Sequence, residues 1–356
     1  MHCSNFISSA ETIAGNKDLL TEILLLLPPI SLLRFRSVSR SWLSLISSAR
    51  FCHLHTLLSP TPKISGVFLR KSPTEFQFLS LNSSNSSPFP FKFHGFVEDP
   101  AGIKILQSCN GLLLCSSLCK IGAIRTYYVY NPTIHRSSSI PPIIGDVSTV
   151  IFGVNLAFEP FKSPHYKLIC VRSTAESMYH HQIEIYSSET GVWTLCGALI
   201  VAPFDMVFDN GVFWNGAIHW ISPRGNSLYF DVSNERIGMM PTLPILERRN
   251  SRRFRYFGES SGHLHLMEIY GPRGTSFKVL EMEKDYSKWV VREEKEESSS
   301  LLLHIPGKII SYNIRNKTIR ELCDLPTNSR GNGEGKESLQ FGWLDAYQYF
   351  ESLACA

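Results

Sequence analysis

Residues 228–244, LYFDVSNERIGMMPTLP, carry the reading that decides the fold. An apolar, aromatic run of strand length is followed by a polar turn and a second run that ends at Leu-Pro. The same pattern returns as YYVYNPTIHRSSSIPP from Tyr127, IEIYSSETGVWTL from Ile183, FKVLEMEKDYSKWVV from Phe277 and IISYNIRNKTIRELCDLP from Ile309. Three units are preceded by a Gly-led strand: GLLLCS from Gly111, GVFWNGAIHWIS from Gly211 and GHLHLMEIY from Gly262. Unit starts lie 56, 45, 49 and 32 residues apart. A period of about 40–50 residues, with about four strands per unit, is that of a β-propeller blade. The last interval is too short for a full blade. The sequence therefore predicts an all-β, propeller-like domain over 63–326 with a truncated last blade, then a flexible segment and tail over 327–356. The run NSSNSSPFP, Asn82 to Pro90, reads as a loop.

Ahead of the repeats the periodicity is helical. Leu20, Ile23, Leu24 and Leu27 fall at i, i+3, i+4 and i+7, one stripe of a helix that Asp18 opens and Pro28-Pro29 stops. Ser31 to Ser37, with Ser31 as N-cap, and Ser39 to Ser48 read as two further short helices. This makes a multi-domain chain: a small all-α unit over 16–57, then the β-rich domain. A three-helix unit of this size buries too little surface to stand alone. It also holds more leucine than its helices can hide, so the surplus is expected to pack on the rest of the chain or on another protein.

Composition narrows the function class. The 356 residues are 43% hydrophobic and 19% charged, which describes a folded chain. A net charge of +4 is too slight to make nucleic acid the expected partner. Nine cysteines without regular spacing favour free thiols in a reducing compartment. Met1 to Ala14 shows no basic patch followed by an apolar stretch, and the longest apolar run, Ile23 to Ile30, is far short of the ~20 residues that cross a bilayer. An intracellular protein, cytoplasmic and/or nuclear, is expected, and the sequons at Asn82, Asn85 and Asn316 then carry no weight.

Four local patterns invite chemistry. Gly258-Glu-Ser260-Ser-Gly262 matches the G-x-S-x-G nucleophile elbow, which needs a helix after the serine, whereas a strand-like alternation follows here. It reads as a turn. His263 and His265 share one strand face but have no third ligand at a recognisable spacing. Cys109, Cys115 and Cys119 lack a CxxC pair and read as core or strand-end residues. No metal and no cofactor is expected. The basic run holding Arg248, Arg249, Arg252, Arg253 and Arg255 is a candidate target-binding loop, set against a plain solvated one.

The run DLLTEILLLLPPISLLRFRSVSRSWLSLISSARF, Asp18 to Phe51, resembles an F-box, the helical motif that docks on the Skp-family adaptor of cullin–RING ubiquitin ligases. SCNGLLLC (Ser108 to Cys115), YVYNPT (Tyr128 to Thr133), GVFWNGAIHWI (Gly211 to Ile221) and YFGESSGHLHLMEIY from Tyr256 resemble the F-box-associated β-propeller region of plant F-box proteins. The resemblance implies a non-catalytic substrate-recognition subunit of an SCF-type ligase, bound through the adaptor to cullin and RING subunits and presenting a target protein. Alternatives are a non-degradative F-box scaffold outside the ligase and a serine hydrolase using Ser260. The implied adaptor-facing set is Leu19, Leu20, Ile23, Leu24, Leu27, Pro28, Leu32, Leu33, Val38, Trp42 and Ile46, with Trp42 as its expected hot spot, although some of these must instead form the internal core of the bundle. F-boxes commonly carry Leu-Pro ahead of the first helix; Gly15-Asn16 stands there in this chain.

Overall fold

The computed structural model describes residues 15–58, 64–70, 75–81, 89–91, 93, 102–118, 125–143, 149–174, 180–203, 205–222, 226–243, 252–270, 276–291, 300–305, 308–313, 316–324 and 346–356. The helical unit comes first. Asn16 caps α1 (Lys17–Leu25), its side chain accepting from the Asp18 and Leu19 amides at 3.0 and 3.2 Å. Helix α2 (Pro29–Phe35) begins at Pro29 rather than after Ser31, because proline at the first helical position has no amide to leave unpaired. Ser39 caps α3 (Arg40–Ile46) by accepting from the Trp42 amide at 3.1 Å. A fourth helix, α4 (Ala49–Leu58), was not expected. Ser47 and Ser48 break the stripe, and Ser48 Oγ accepts from the Phe51 amide at 3.2 Å to restart it.

The β-rich region is a six-bladed propeller. Blade 1 holds β1 (Gly66–Arg70), β2 (Phe76–Ser80) and β3 (Phe89–Phe91). Blade 2 is β4 (Ile103–Cys109), β5 (Leu112–Ser117), β6 (Tyr127–Asn131) and β7 (Arg136–Ser139). Blade 3 is β8 (Ile151–Ala157), β9 (Lys167–Ser173), β10 (His180–Ser187) and β11 (Val192–Val201). Blade 4 is β12 (Val212–Trp214), β13 (Ala217–Trp220), β14 (Leu228–Asp231) and β15 (Arg236–Met239). Blade 5 is β16 (Arg252–Ser260), β17 (His263–Tyr270), β18 (Ser276–Met282) and β19 (Trp289–Val291). Blade 6 shows β20 (Ser300–Ile305), β21 (Lys308–Asn313) and β22 (Ile319–Asp324) among the described residues. Each blade is an antiparallel meander.

The ring is closed by β23 (Ala346–Tyr349), which pairs antiparallel with β1, Gly66 opposite Tyr349 and Leu69 opposite Ala346. Residues from the two ends of the domain thus share blade 1. This corrects the expected tail: within 327–356, residues 346–356 are built into the fold, while 327–345 lie outside the described residues. Of the expected loop at Asn82 to Pro90, Phe89 and Pro90 belong to β3, an edge strand where proline is tolerated, and 82–88 lie outside the described residues.

The short last repeat has a simple cause. The units starting at Tyr127, Ile183, Leu228 and Phe277 are third-and-fourth-strand hairpins, whereas the one from Ile309 is β21–β22, the second and third strands of its blade. The third strand of blade 6 begins at Ile319, 42 residues after Phe277, which is a full blade interval. The short interval is a slip of one strand in phase; the blade itself shows three strands among the described residues.

The two endings of the repeat, Pro in one unit and Trp in the next, turn out to be partners. Trp193 Nε1 of blade 3 donates to the Pro141 carbonyl behind blade 2 at 2.9 Å, and Trp289 Nε1 of blade 5 donates to the Pro241 carbonyl behind blade 4 at 3.2 Å. Both indoles are buried, so each large apolar ring seals a blade junction while its one polar atom is satisfied.

Candidate functional site

Helix α1 has two apolar stripes. Leu20, Leu24 and Leu27 face inward: Leu20 and Leu24 are buried with Leu32, Ile46, Phe51 and Cys52, and half-buried Leu27 packs on them. Leu19, Ile23 and Leu26, also at i, i+4 and i+7, form the second stripe and stay exposed, Leu26 to 82%. Pro28, Ile30, Val38 and Leu43 are exposed on the same unit. Fully burying one such side chain is worth ~1.5–3 kcal/mol, so this face has the composition of a protein-docking surface.

The eleven residues expected to face an adaptor therefore divide. Leu20, Leu24, Leu32 and Ile46 are core of the helical unit and are not on its surface, a correction that follows from their burial below 5% exposure. Leu27, Leu33 and Trp42 are half-buried against that core, and the Trp42 ring meets Phe35 edge-on at 5.7 Å. Leu19, Ile23, Pro28 and Val38 are exposed. Sequence reasoning missed Leu26, Ile30 and Leu43, because reading a single stripe of α1 and the motif's own positions gave them no role. Where Leu-Pro is usual in the resemblance, Asn16 supplies the cap of α1.

The helical unit is tied to the propeller by the segment after β23. Leu353 is buried inside the helical core, and half-buried Ile134, from the β6–β7 turn, packs beside it. Asn131 organises both sides of this junction. Its Oδ1 accepts from the Thr133 amide at 2.9 Å, and its Nδ2 donates to the carbonyls of Ser352 and Ala354 at 3.0 and 2.8 Å. The equivalent Asp231 of blade 4 caps its own turn in the same way, through the Ser233 and Asn234 amides, but has no amide to donate. Thr133 Oγ1 adds contacts to the Tyr349 hydroxyl at 3.0 Å and the Ser352 amide at 3.1 Å. Gly111, at φ +90°, lies so close to Ser352 that a Cβ would collide with it.

Two cavities of the propeller share Leu106, Asn210 and Tyr347 in their walls. One, of about 360 Å³, opens at the strand ends nearest the helical unit, beside Asn110, Trp214, Glu259 and Phe350. The other, of about 290 Å³, opens at the opposite strand ends, beside Arg70, Lys104, Arg125 and Asp209.

The other sequence patterns resolve structurally. Ser260 ends β16 and is followed by a tight turn, Ser261 and Gly262 both at positive φ, and then by strand β17, so no helix follows the serine. His263 and His265 do share a face, and they meet the Glu281 carboxylate at 2.5 and 3.4 Å. Cys109 and Cys115 are buried in strands, where desolvation pushes the Cys109 thiol up to about 12; Cys119 lies outside the described residues. Arg248 and Arg249 also lie outside them, while the backbone of Arg252, Arg253 and Arg255 runs in β16.

Comparison with known proteins agrees with this architecture. Residues 16–54 match the F-box domain family, and residues 74–261, more than half of the chain, match the F-box associated beta propeller domain. The chain belongs to the F-box proteins that carry an F-box-associated β-propeller. Among its relatives, F-box protein At5g07610 of Arabidopsis thaliana is 32% identical, over 98% of this chain and 94% of that protein. Putative F-box protein At1g47390 of the same plant is 26% identical, over 65% of this chain and 62% of its own length. Putative F-box/kelch-repeat protein At4g22430, also of Arabidopsis thaliana, is 26% identical over 77% of this chain and 67% of its own.

Proposed function

We propose that this chain is the substrate-recognition subunit of an SCF-type ubiquitin ligase, docking on a Skp-family adaptor through its F-box and holding a target protein on its propeller. The observation that carries this reading is the second apolar stripe of α1, Leu19, Ile23 and Leu26, exposed beside a complete core. F-box proteins are typically non-catalytic, and the role needs no chemistry from this chain. Holding a target lysine near a charged conjugating enzyme raises its effective concentration and makes transfer a local event. The buried junction at Leu353 and Asn131 serves that role by fixing the F-box against the propeller, so that a bound target has a defined position. Cytoplasm and/or nucleus is the setting of this reading.

The test is reconstitution. Full-length protein is mixed with a plant Skp adaptor, cullin and RING subunits, activating and conjugating enzymes, ubiquitin and ATP. The reading expects this chain to co-purify with the adaptor and to acquire ubiquitin itself only when the adaptor is present. A folded chain that neither co-purifies nor is modified would overturn it.

A further inference from the structure

We propose that the cavity at the strand ends opposite the F-box binds an acidic peptide segment through Lys104 and Arg125; this deepens the receptor reading and rests on it. The strand registers fix where its mouth lies. Ile103 pairs with Ser117 at one end of blade 2 and Cys109 with Leu112 at the other. Arg70 closes β1, Lys104 is the second residue of β4 and Arg125 stands just before β6, all at the first of these ends. The F-box contacts, Ile134 and Leu353, lie at the second. A segment bound at the first end leaves the adaptor-side surface free.

Charge decides what fits. Three cationic side chains and one carboxylate, Asp209, line a cavity of about 290 Å³, a concentration of positive charge in a chain whose net charge is only +4. Asp209 is an exposed residue whose carboxyl is only partly desolvated by the walls of the mouth. Its carboxyl is raised by that desolvation, against the pull of Lys104 and Arg125. The wall is also rigid. Asp209 sits in the 3₁₀ turn Phe208–Asn210, held by Asn155 Nδ2 donating to the Phe208 carbonyl at 3.1 Å. Gly153 of β8 lets that turn lie directly on the strand, since a Cβ there would strike the Phe208 carbonyl. A cavity of this size admits side chains of one extended strand, and Arg and Lys donors suit carboxylates.

The experiment uses the full-length protein and fluorescein-labelled octaglutamate, followed by anisotropy at about 50 mM salt, where screening is weak. Saturable binding is expected, with none for octaglutamine. Lys104→Gln/Arg125→Gln should weaken it about ten-fold, the loss of two charge-assisted contacts at a partly solvated site. Asp209→Asn should tighten it several-fold, an effect that a purely structural role for the mouth does not give. Arg236→Gln, which removes an exposed cation on β15, should leave it unchanged. Absence of saturable binding, equal binding by the Lys104/Arg125 variant, weakening by Asp209→Asn, or tighter binding of a single-stranded oligothymidylate would each overturn the proposal. Adaptor co-purification, measured in parallel on every variant, separates a failure here from a failure of the receptor reading.

Discussion

Leu353 lies in the same buried cluster as Ile46, so the segment that leaves the last propeller strand also completes the core of the F-box. Two units far apart in sequence therefore share one set of apolar contacts. A helical unit this small gains stability it would lack alone. Leu353→Ala should cost about 2–5 kcal/mol, the range for emptying a buried leucine site. Hydrogen exchange across α1–α4 should speed up while blades 3 and 4 remain protected. Unchanged exchange in the helices would show that the junction does not support them.

His219 makes stability fall with acid. It is fully buried, and desolvation lowers its pKa to about 4. Its Nδ1–H donates to the Val212 carbonyl at 3.2 Å, which leaves Nε2 to accept from the Tyr286 hydroxyl at 2.9 Å. The folded state thus prefers the neutral ring, whereas the unfolded chain protonates near 6.5. Stability from this site is present above pH 6.5 and is lost as pH falls toward 4, by up to about 3 kcal/mol at ~1.4 kcal/mol per unit. Urea unfolding of the wild type at pH 7 and pH 5 should show the loss, and His219→Gln should flatten it.

Arg172 and Glu184 form a buried ion pair between β9 and β10, with Nη2 and Nε both reaching Oε1, at 2.7 and 2.8 Å. Glu184 Oε2 has no hydrogen-bond partner among the described residues. Arg172→Met leaves the carboxylate buried and uncompensated and should cost about 3–5 kcal/mol in a denaturant titration. Arg172→Met/Glu184→Leu should recover most of that loss, because the pair's attraction is largely offset by its desolvation.

Cys355 is an exposed thiol whose pKa is lowered, chiefly by its side-chain interaction with the Cys52 thiol, with Arg136 and Arg36 adding favourable charge. The rate of iodoacetamide labelling at Cys355, followed by mass spectrometry, should rise with pH to a plateau with its midpoint below that of an ordinary thiol. Cys52→Ala should move the midpoint upward, as expected when the thiolate loses its interaction with Cys52.

The propeller was legible because its signal is repeated: the Tyr130, Tyr186 and Phe230 strands and their turns recur at blade intervals. Its phase was not. The Ile309 unit has the same alternation as the others, and alternation alone does not say which strand of a blade it is. Closure was hidden for a related reason, since β23 has only four residues and its partner β1 lies some 280 positions earlier. The F-box motif was legible from local periodicity, but the division of its apolar residues into core and surface was not. Ile23 and Leu24 look alike in sequence; their exposures, 46% and 1%, are set by α4 and Leu353, which arrive from elsewhere in the chain. The cationic mouth could not be read at all, because Arg70, Lys104, Arg125 and Asp209 come from four separate segments.

The most direct test of the receptor account is the affinity of a plant Skp adaptor for Ile23→Asp/Leu26→Asp, measured by calorimetry beside the wild type and with the melting temperature of each. Both side chains are exposed in the free chain, so folding should be preserved. The account predicts an unchanged melting temperature and a Kd weakened at least ~100-fold, the loss of two buried apolar contacts. A folded variant that binds the adaptor as tightly as the wild type would contradict it.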